Sequence, residues 1–486
     1  MVNVTHTTHS PHSVNLDNHS LAQLAIPTPT YDRGALEIGI VHFGVGGFHR
    51  AHQAMYLDQL LDRGLADGWG ICGVGVLPGD RKMADVMAAQ EGLYTLLLEN
   101  PDGTRDARVV GSIVDYRYAP DDPEGVIELL AAPSTRIISL TITEGGYHVD
   151  NLPEVNVFGL VTEALARRRD RGVRSPTIMS CDNIEGNGHV AQEAFVAYAD
   201  SAHPGLSQWM RDHTRFPNAM VDRITPVTTP DVIETISGEF GVDDRWPVIA
   251  EPFTAWVLED KFSDGRPTLE EVGVLLVDDV TPYELMKLRL LNAGHQALCY
   301  FAYLAGYRLV HDAAGDELFA EFLLQYMDSE ATPTLKPVPG IDLPDYKRTL
   351  IERFANPGVR DTIARLCYGS SDRIPQWLVP VIRANLDSGA PVRLSAAVVA
   401  SWARYAEGVD EQGEPIDVQD NRADALVPLA KAQRENPTSF IENTDLFGDL
   451  AEHPRFVAAY TETLDSLYRN GARATLEMLV GRDGQR

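Results

Sequence analysis

The first part of the chain alternates short apolar runs with amphipathic stretches. The runs are rich in β-branched residues, and such runs are typical of buried parallel strands when helices separate them. The stretches at 52–63 and 155–169 have the periodicity of helices that pack on one face. This alternation predicts βαβ units and a doubly wound sheet. The predicted strands cover residues 37–43, 71–76, 136–143 and 177–181.

The pattern changes near residue 281, where a Thr-Pro pair precedes a series of long helical segments. We therefore predict an α/β protein, with a doubly wound sheet domain over 34–281 and a mostly α-helical domain over 282–486. The polar residues 1–33 predict a flexible N-terminal arm. The helical patterns cover residues 283–309, 317–327, 344–354, 376–386, 395–407 and 454–479.

Composition narrows the classes of function. Asp and Glu (70) outnumber Lys and Arg (41) among 486 residues, so the formal net charge is −29. An acidic surface repels phosphate backbones, which disfavours nucleic-acid binding. No apolar stretch reaches the ~18 residues of a membrane span, and the polar arm does not resemble a signal peptide. We expect a cytoplasmic protein with a small-molecule substrate, as a monomer or small homo-oligomer.

Cysteine and histidine spacing does not indicate a metal site. The four cysteines lie far apart, without C-x-x-C spacing, which disfavours both a disulfide framework and structural zinc. His49 and His52 have a spacing that can bind metal, but no third ligand stands nearby. The histidines of the N-terminal arm fit a solvated tail better than a metal site, and we predict no metal cofactor. They are His6, His9, His12 and His19.

A glycine-rich segment follows the first predicted strand and opens a helix. It reads GVGGFHR over residues 44–50, with His49 at the third glycine position of the G-x-G-x-x-G fingerprint. Glycines in this context allow a tight turn and let a pyrophosphate approach backbone N–H groups at a helix N-terminus. The alternative is a strand–helix turn with glycines for steric reasons alone. The predicted cofactor-binding residues are Gly44, Gly46, Gly47, Phe48 and Arg50.

Asp80 is the first carboxylate after the second predicted strand. A carboxylate there accepts hydrogen bonds from ribose hydroxyls and repels a 2′-phosphate, which favours NAD. Arg81 and Lys82 follow it and would pair with a 2′-phosphate, so NADP remains open. The alternative is an ordinary Pro-Gly-Asp turn.

The helical pattern at 283–309 is apolar nearly all round, so most of this helix should be buried. Four of its few polar residues share one face at about 100° per residue. Burial lowers the pKa of a lysine toward that of a general base, and an amide and an imidazole beside it can hold an alcohol oxygen. The alternative is an ion pair on a solvated edge with a histidine in the core. These four residues are Glu284, Lys287, Asn292 and His295.

A second polar segment, SCDNIEGNG at 180–188, follows the predicted strand at 177–181. Ligands in open α/β sheets bind beyond the carboxyl ends of strands. Asn183 is therefore expected to face a cofactor or substrate. The alternative is an Asn/Gly-rich turn.

Taken together, these segments resemble the polyol-specific long-chain dehydrogenases, and most closely their mannitol-oxidising members. The resemblance spans about residues 37–375, and its order over many blocks is more specific than any one motif. The blocks are HFGVGGFHRAHQAMY (42–56), WGICGVG (69–75), SLTITEGGY (139–147), MSCDN (179–183), FPNAMVDRITPVT (216–228), EPFTAWVLEDKF (251–262), DDVTPYELMKLRLLNAGH (278–295) and PVPGIDLPDYK (337–347).

The resemblance implies a Rossmann-type N-terminal domain, a helical C-terminal domain and a zinc-independent, NAD-dependent oxidation of a sugar alcohol such as mannitol, arabinitol or sorbitol. The family signature K-x-x-x-x-N-x-x-H falls on Lys287, Asn292 and His295. It implies that Lys287 is the general base, that Asn183 and Asn292 form the oxyanion hole, and that His295 orients the substrate. Glu284 matches a residue that assists proton exit.

The resemblance also implies that Asp222 and Arg365 line the substrate site. One departure is SSDRIP at 370–375, where Arg373 replaces, or lies one residue beyond, a substrate-contacting lysine. Another is the short stretch at 148–157. A sugar-acid dehydrogenase acting on mannonate or altronate is therefore an alternative, because a carboxylate substrate would use an extra cation. A more distant alternative is a non-catalytic nucleotide-binding regulator.

Overall fold

The computed structural model describes residues 13–150 and 152–481, so His6, His9 and His12 lie outside the described residues. The chain divides into two compact units, Met1–Thr281 and Pro282–Arg486. No helix among the described residues combines the length and apolarity needed to cross a membrane.

The strands lie in the first unit. They are β1 (Val14–Asn15), β2 (Ile38–Phe43), β3 (Gly70–Gly75), β4 (Tyr94–Glu99), β5 (Arg105–Val110), β6 (Ile113–Tyr118), β7 (Ile137–Leu140), β8 (Thr177–Ser180), β9 (Ala219–Asp222), β10 (Val242–Asp243), β11 (Val248–Ala250), β12 (Ala255–Glu259) and β13 (Leu275–Val277). Its helices are α1 (Gly47–Ala51), α2 (Gln53–Asp62), α3 (Asp80–Ala89), α4 (Pro123–Ala131), α5 (Val157–Arg171), α6 (Asn187–Ala202), α7 (Leu206–His213) and α8 (Pro230–Phe240).

A parallel sheet with the strand order β6-β3-β2-β7-β8 forms the centre of the first unit. Neighbouring residues of β2 face opposite sides: Ile40 joins one core, with α2, and Val41 joins the other, with α4 and α5. Both faces are covered, which explains why these strands read as continuous apolar runs. The predicted fold class, a Rossmann-type doubly wound sheet followed by a helical domain, is confirmed.

Smaller sheets accompany the parallel one, in the orders β11-β4-β5 and β13-β12-β9. The sequence pattern did not predict these strands, nor the edge strand β6. Arg105–Val110 has charged residues at three of its six positions, and Val248–Ala250 is only three residues long. Such segments carry a weaker signal than strands buried on both faces.

The N-terminal arm predicted over 1–33 requires a correction, because residues 13–33 pack on the first unit. β1 pairs in parallel with β10, and Leu16 is 2% exposed in a small core. The guanidinium of Arg33 donates to the carbonyl oxygens of Gly111 and Ile113, at 2.8 Å each. The apolar residues scattered through this polar segment are too few to produce a periodic signal, but they suffice to anchor it.

The second unit is helical around α10, which packs against α12, α14, α17 and α20. Its helices are α9 (Thr281–Met286), α10 (Ala293–Leu304), α11 (Val310–Ala314), α12 (Glu317–Tyr326), α13 (Leu343–Phe354), α14 (Ile363–Cys367), α15 (Ser370–Trp377), α16 (Val379–Ser388), α17 (Arg393–Tyr405), α18 (Ala423–Ala432), α19 (Thr444–Phe447) and α20 (Pro454–Val480). A π-helical turn, Lys287–Asn292, joins α9 to α10, and a second, Met327–Ala331, extends α12.

Candidate active site

The glycine turn lies at the carboxyl end of β2, where the strand order reverses. β3 lies on one side of β2, and β7 lies on the other. Ligands in open α/β sheets bind in the crevice at such a reversal. Gly44 has φ +90°, and a Cβ there would lie 2.0 Å from the carbonyl oxygen of Thr141. Only glycine fits this position.

The outer side of the turn is open to a ligand. Gly46 is exposed, and a Cβ built on it would meet no atom closer than 3.8 Å. Gly47 begins α1, whose first-turn N–H groups lack intrahelical partners. Diphosphate oxygens accept hydrogen bonds from such groups, so the turn fits a dinucleotide.

Arg50 lies beneath this turn rather than at its surface. It is 1% exposed, its Nε donates to the carbonyl oxygen of Gly46 at 3.3 Å, and its Nη1 donates to that of Trp246. The guanidinium carbon lies 5.3 Å from the centre of the Tyr94 ring. Burial lowers the pKa of Arg50 from its ordinary value. Arg50 therefore brings its positive charge close to the glycines from beneath the turn.

His49 and His42 form a buried stack below the turn, with ring centres 3.4 Å apart. Nδ1 of His42 lies 2.8 Å from the Ser139 hydroxyl oxygen, and its Nε2 lies 3.0 Å from that of Thr141. The Thr141 hydroxyl donates to the carbonyl oxygen of Gly44 at 2.7 Å. Burial lowers the pKa of His42 to about 3, and it lowers the pKa of His49 well below its usual value. Two neutral rings therefore support the glycine turn.

Phe48 and His52 complete this segment. The half-buried Phe48 ring stacks on His52, with centres 4.9 Å apart. The Nε2 of His52 lies 2.9 Å from the carbonyl oxygen of Ala255, and its Nδ1 lies 2.9 Å from Nε2 of Gln53. Within the described ranges, no three His, Cys, Asp or Glu side chains are grouped as a metal site.

Asp80 is the first residue of α3 and folds back over the end of β3. One carboxylate oxygen accepts the N–H groups of Val76 and Leu77, at 2.9 Å each. The neighbouring cations have partners of their own. Arg81 pairs with Asp121, and Nζ of Lys82 lies 4.5 Å from the centre of the Trp246 ring.

Asn183 follows β8, and Asp222 ends β9, the next strand along the chain but a member of another sheet. Asn183 is exposed after β8, whereas Asp222, the last residue of β9, is 6% exposed. The buried Asn187 connects the two segments, because its Nδ2 donates to the carbonyl oxygens of Asp182 at 3.0 Å and of Ala219 at 2.7 Å. Its Oδ1 accepts the N–H of Ala219 at 2.9 Å. Asn187 therefore links the segment after β8, which carries Asn183, to the first residue of β9, the strand that ends at Asp222.

In the second unit, the predicted lysine face falls on an irregular helix. Lys287 begins the π-helical turn and Asn292 ends it. Lys287 is 9% exposed, Glu284 is 7% exposed and Asn292 is 5% exposed, so these polar groups are mostly buried. Because a π turn bonds i to i+5, the even spacing of 100° assumed from the sequence does not hold through this segment. π turns occur frequently at functional sites, but periodicity alone does not reveal them.

His295 lies one turn beyond the π segment and is half-buried. Its ring stacks on Phe354 of α13, with centres 4.2 Å apart and planes 26° apart. This contact fixes the plane of the imidazole. Gln296, which follows it, is fully buried and donates to the carbonyl oxygen of Leu366.

Arg365 and Arg373 lie side by side on α14 and α15. Nη1 of Arg373 donates to the carbonyl oxygens of Leu366 at 3.1 Å and of Arg365 at 3.4 Å. Arg365 forms an ion pair with Asp361, and the Arg373 guanidinium lies 5.6 Å from the centre of the Trp377 ring. Asp361 therefore balances part of the positive charge of this pair.

The sequence patterns assigned no role to several polar groups of the first unit near the glycine turn and Asn183. Asp182 and Tyr147 connect the loops after β7 and β8 through side-chain hydrogen bonds, and the Thr141 hydroxyl connects the end of β7 to Gly44 after β2. Their signal was present in the SLTITEGGY and MSCDN blocks, since polar residues at the carboxyl ends of parallel strands point to a site. Only their contacts separate them from ordinary turn residues.

A glycine turn at the reversal of a parallel sheet defines the Rossmann class of dinucleotide-binding domains. The chain matches the mannitol dehydrogenase Rossmann domain over residues 38–271 and the mannitol dehydrogenase C-terminal domain over residues 279–468. It is 42% identical to a mannitol 2-dehydrogenase of Phaeosphaeria nodorum, over 96% of this chain and 86% of the relative. Identity to one from Aspergillus fumigatus is 40%, over 96% and 99% of the two chains.

Two solved structures are similar over nearly the whole chain. The Pseudomonas fluorescens mannitol 2-dehydrogenase ternary complex with NAD and D-mannitol has a TM-score of 0.85 and 43% identity, covering 96% of this chain and 100% of that one. A D-sorbitol dehydrogenase in substrate-free form has a TM-score of 0.88 and 36% identity, covering 95% and 100%. The chain belongs to the mannitol dehydrogenase family, which confirms the predicted resemblance.

Proposed function

We propose that this protein is an NAD-dependent polyol dehydrogenase whose principal substrate is mannitol, which it oxidises to fructose. The observation that carries this assignment is the similarity, at 43% identity over 96% of the chain, to an enzyme solved with NAD and D-mannitol. Arabinitol and sorbitol follow as further substrates. Sorbitol is included because a D-sorbitol dehydrogenase is 36% identical.

The oxidation removes a hydride from the carbinol carbon and a proton from its hydroxyl oxygen, leaving a C=O bond. NAD supplies the hydride acceptor when it is bound. Lys287 is the proposed general base, whose uncharged Nζ takes the hydroxyl proton. Lys287 is 9% exposed, and burial of an amine favours its uncharged form.

The remaining predicted residues hold the substrate in this proposal. The amides of Asn183 and Asn292 donate to the reacting oxygen as negative charge develops on it. His295, whose plane is fixed by Phe354, orients the same oxygen. Glu284 passes the proton on from Lys287. The other substrate hydroxyls are assigned to Asp222, Arg365 and Arg373.

Gly44, Gly46 and Gly47 would hold the cofactor diphosphate at the end of β2. Asp80 would accept the ribose hydroxyls with the carboxylate oxygen that does not bond the turn. Such a carboxylate repels a 2′-phosphate, and Arg81 is already paired with Asp121. These features favour NAD over NADP.

An initial-rate screen tests the function. Mannitol, arabinitol, sorbitol and mannonate are each offered with NAD⁺ and with NADP⁺, and NADH or NADPH formation is followed by absorbance. We expect the highest kcat/KM for mannitol with NAD⁺, and unchanged rates after dialysis against EDTA. Absence of reduced cofactor with every polyol would refute the assignment, and loss of activity in EDTA would refute zinc independence.

A sugar-acid dehydrogenase is the second candidate. The Arg373 guanidinium, which donates to the backbone carbonyl oxygen of Arg365, favours it, because a substrate carboxylate forms strong bidentate pairs with arginine. Asp361 opposes it by neutralising Arg365. A kcat/KM for mannonate above that for mannitol would establish this alternative.

A further inference from the structure

Asp182 joins the loops that follow β7 and β8. Its carboxylate accepts the backbone N–H of Thr143 at 2.7 Å, the N–H of Ile142 at 3.2 Å and the hydroxyl of Tyr147 at 2.7 Å. These donors belong to the segment after β7, whereas Asp182 follows β8. The side chain is 6% exposed. Hydrogen bonds to an ionised acceptor are about twice as strong as neutral ones, so this carboxylate holds two strand ends together.

The backbone that Asp182 holds is strained. Thr143 has φ +65° and ψ 169°, a region that residues with a Cβ rarely adopt. Such conformations persist only where the surroundings over-determine them, and they cluster at functional sites. The bonds from Ile142 and Thr143 to one carboxylate provide that constraint.

A third strand end is tied to the same residue. The backbone carbonyl of Asp182 accepts Nδ2 of Asn187 at 3.0 Å, and Asn187 also pairs with both backbone groups of Ala219. Ala219 begins β9, which ends at Asp222. Asp182 therefore lies at the junction of three segments, while the next residue, Asn183, is exposed.

We propose that Asp182 is a positioning residue for the oxidation: its buried carboxylate fixes the backbone from which Asn183 extends and thereby sets the place of the Asn183 amide. Asp182 itself touches no substrate atom in this proposal. The inference rests on the function proposed above and on the role assigned there to Asn183. A misplacement of about 1 Å in such a group costs on the order of 10²-fold in rate.

The first test is Asp182→Asn. The amide keeps the size of the side chain but turns an NH₂ group toward N–H and O–H donors, so the brace fails. We expect kcat for mannitol to fall about 10²-fold, with the KM for NAD⁺ changed by less than about twofold. The primary deuterium isotope effect with mannitol labelled at carbon 2 should rise, because the chemical step becomes rate-limiting.

A double-mutant cycle separates positioning from general destabilisation. Asp182→Asn is measured in the wild type and in an Asn183→Ala background. If Asp182 acts through Asn183, its effect on kcat in that background falls to less than about twofold. If Asp182→Asn lowers kcat by the same factor in both backgrounds, the inference is overturned.

A hydrogen bond between a tyrosine and a buried aspartate elsewhere in the first unit supplies the matched control. Tyr31 donates to buried Asp58 at 2.6 Å, much as Tyr147 donates to Asp182 at 2.7 Å. Both phenylalanine variants remove one hydroxyl, so both should lower the melting temperature. Only Tyr147→Phe should also lower kcat, and an equal kcat in the two variants would contradict the inference. This pair keeps the test decisive even where Asp182→Asn does not fold.

Failure of the inference is distinguishable from failure of the proposed function. If the wild-type protein forms no NADH with any of the polyols, the proposed function is refuted. The double-mutant cycle is then run with the sugar acid that the protein does oxidise. A wild-type protein active on mannitol with additive effects of the two substitutions refutes only the role of Asp182.

Discussion

At the scale of single residues, the sequence names candidate side chains, and the structure shows their surroundings. Lys287 was expected on a buried helix, and it is 9% exposed. Arg50 was expected to bring charge to the glycine turn, but its guanidinium bonds backbone carbonyl groups beneath it. The type of residue follows from a motif, whereas its partners depend on segments distant in sequence.

Replacement of the proposed base tests the chemistry at this scale. Lys287→Ala should lower kcat for mannitol oxidation about 10²–10⁴-fold, because general-base catalysis contributes that much. NADH formation under saturating mannitol measures it. Lys347→Ala is the control, since Lys347 is also mostly buried and pairs with Asp328. It should cost stability but leave kcat near wild type. Near wild-type turnover in Lys287→Ala would rule out this base.

Asp80 tests the choice of cofactor. Asp80→Ala should reduce the preference for NAD⁺ over NADP⁺ about 10- to 100-fold, because one charged hydrogen bond to ribose is worth about 1.5–3 kcal/mol. The ratio of kcat/KM for the two cofactors is the measurement. Asp80→Asn retains an acceptor for the N–H groups of Val76 and Leu77, so it separates charge from turn geometry. The exposed Asp85 on the same helix is the control site. An unaltered ratio would show that Asp80 has no such role.

Strands and helices follow from periodicity only where the backbone is regular. The four strands predicted from apolar runs are present as β2, β3, β7 and β8, because burial on both faces requires apolar residues throughout. The helix expected at 283–309 instead contains a π turn and ends at Leu304. The irregularity lies at Lys287–Asn292, where the candidate chemistry is concentrated.

The stacked rings of His42 and His49 beneath the glycine turn make stability depend on pH. The folded-state pKa of His42 is about 3, below its unfolded value of about 6.5. Its stabilising contribution is therefore complete above about pH 6.5 and is lost as the pH falls toward 3, because the unfolded chain binds a proton that the folded chain excludes. The loss is about 1.4 kcal/mol per pH unit.

Chemical denaturation between pH 7 and pH 5 measures this slope. His42→Gln keeps a polar group near Ser139 and Thr141 but does not titrate. The slope of the free energy of unfolding against pH should therefore decrease by the amount that corresponds to about one bound proton. His49 shifts in the same direction and adds to the wild-type slope. An identical slope in His42→Gln and wild type would contradict this account.

The helix α20 is interrupted at Gly471, where the backbone dihedral angles are not helical. Gly471 has φ +80°, and a Cβ on it would lie 2.9 Å from Oε2 of Glu411, whose other oxygen accepts the N–H of Ala472. Gly471→Ala should cost about 1–3 kcal/mol of stability, measured by the shift of the denaturant midpoint. Gly238→Ala on α8, with open space around the position, should be neutral or stabilising. Equal midpoints for the two variants would contradict the assigned strain.

At the scale of the whole molecule, a net charge of −29 surrounds candidate chemistry directed at a neutral substrate. Such a field raises the energy of an anionic ligand and leaves a polyol unaffected. The glycine turn offers a local site for an anion within that field.

Ionic strength tests this picture. Raising it from about 0.01 M to about 0.15 M shortens the screening length from about 30 Å to about 8 Å. The KM for NAD⁺, an anion, should fall as repulsion is screened, whereas the KM for mannitol should not change. Steady-state kinetics at both salt concentrations measure the two constants. A salt-dependent KM for the polyol would show that charge enters substrate binding.

The sequence by itself determined the fold class, the glycine turn and the residues that carry the family signature. These features depend on local periodicity or on short spacings, which a linear chain displays directly. Tertiary structure alone decided that residues 13–33 pack on the first unit, that Arg50 lies beneath the turn and that the Asp182 carboxylate joins the segments after β7 and β8. Each of these outcomes depends on hydrogen bonds or apolar contacts between segments far apart in sequence, and such contacts leave no periodic trace along the chain.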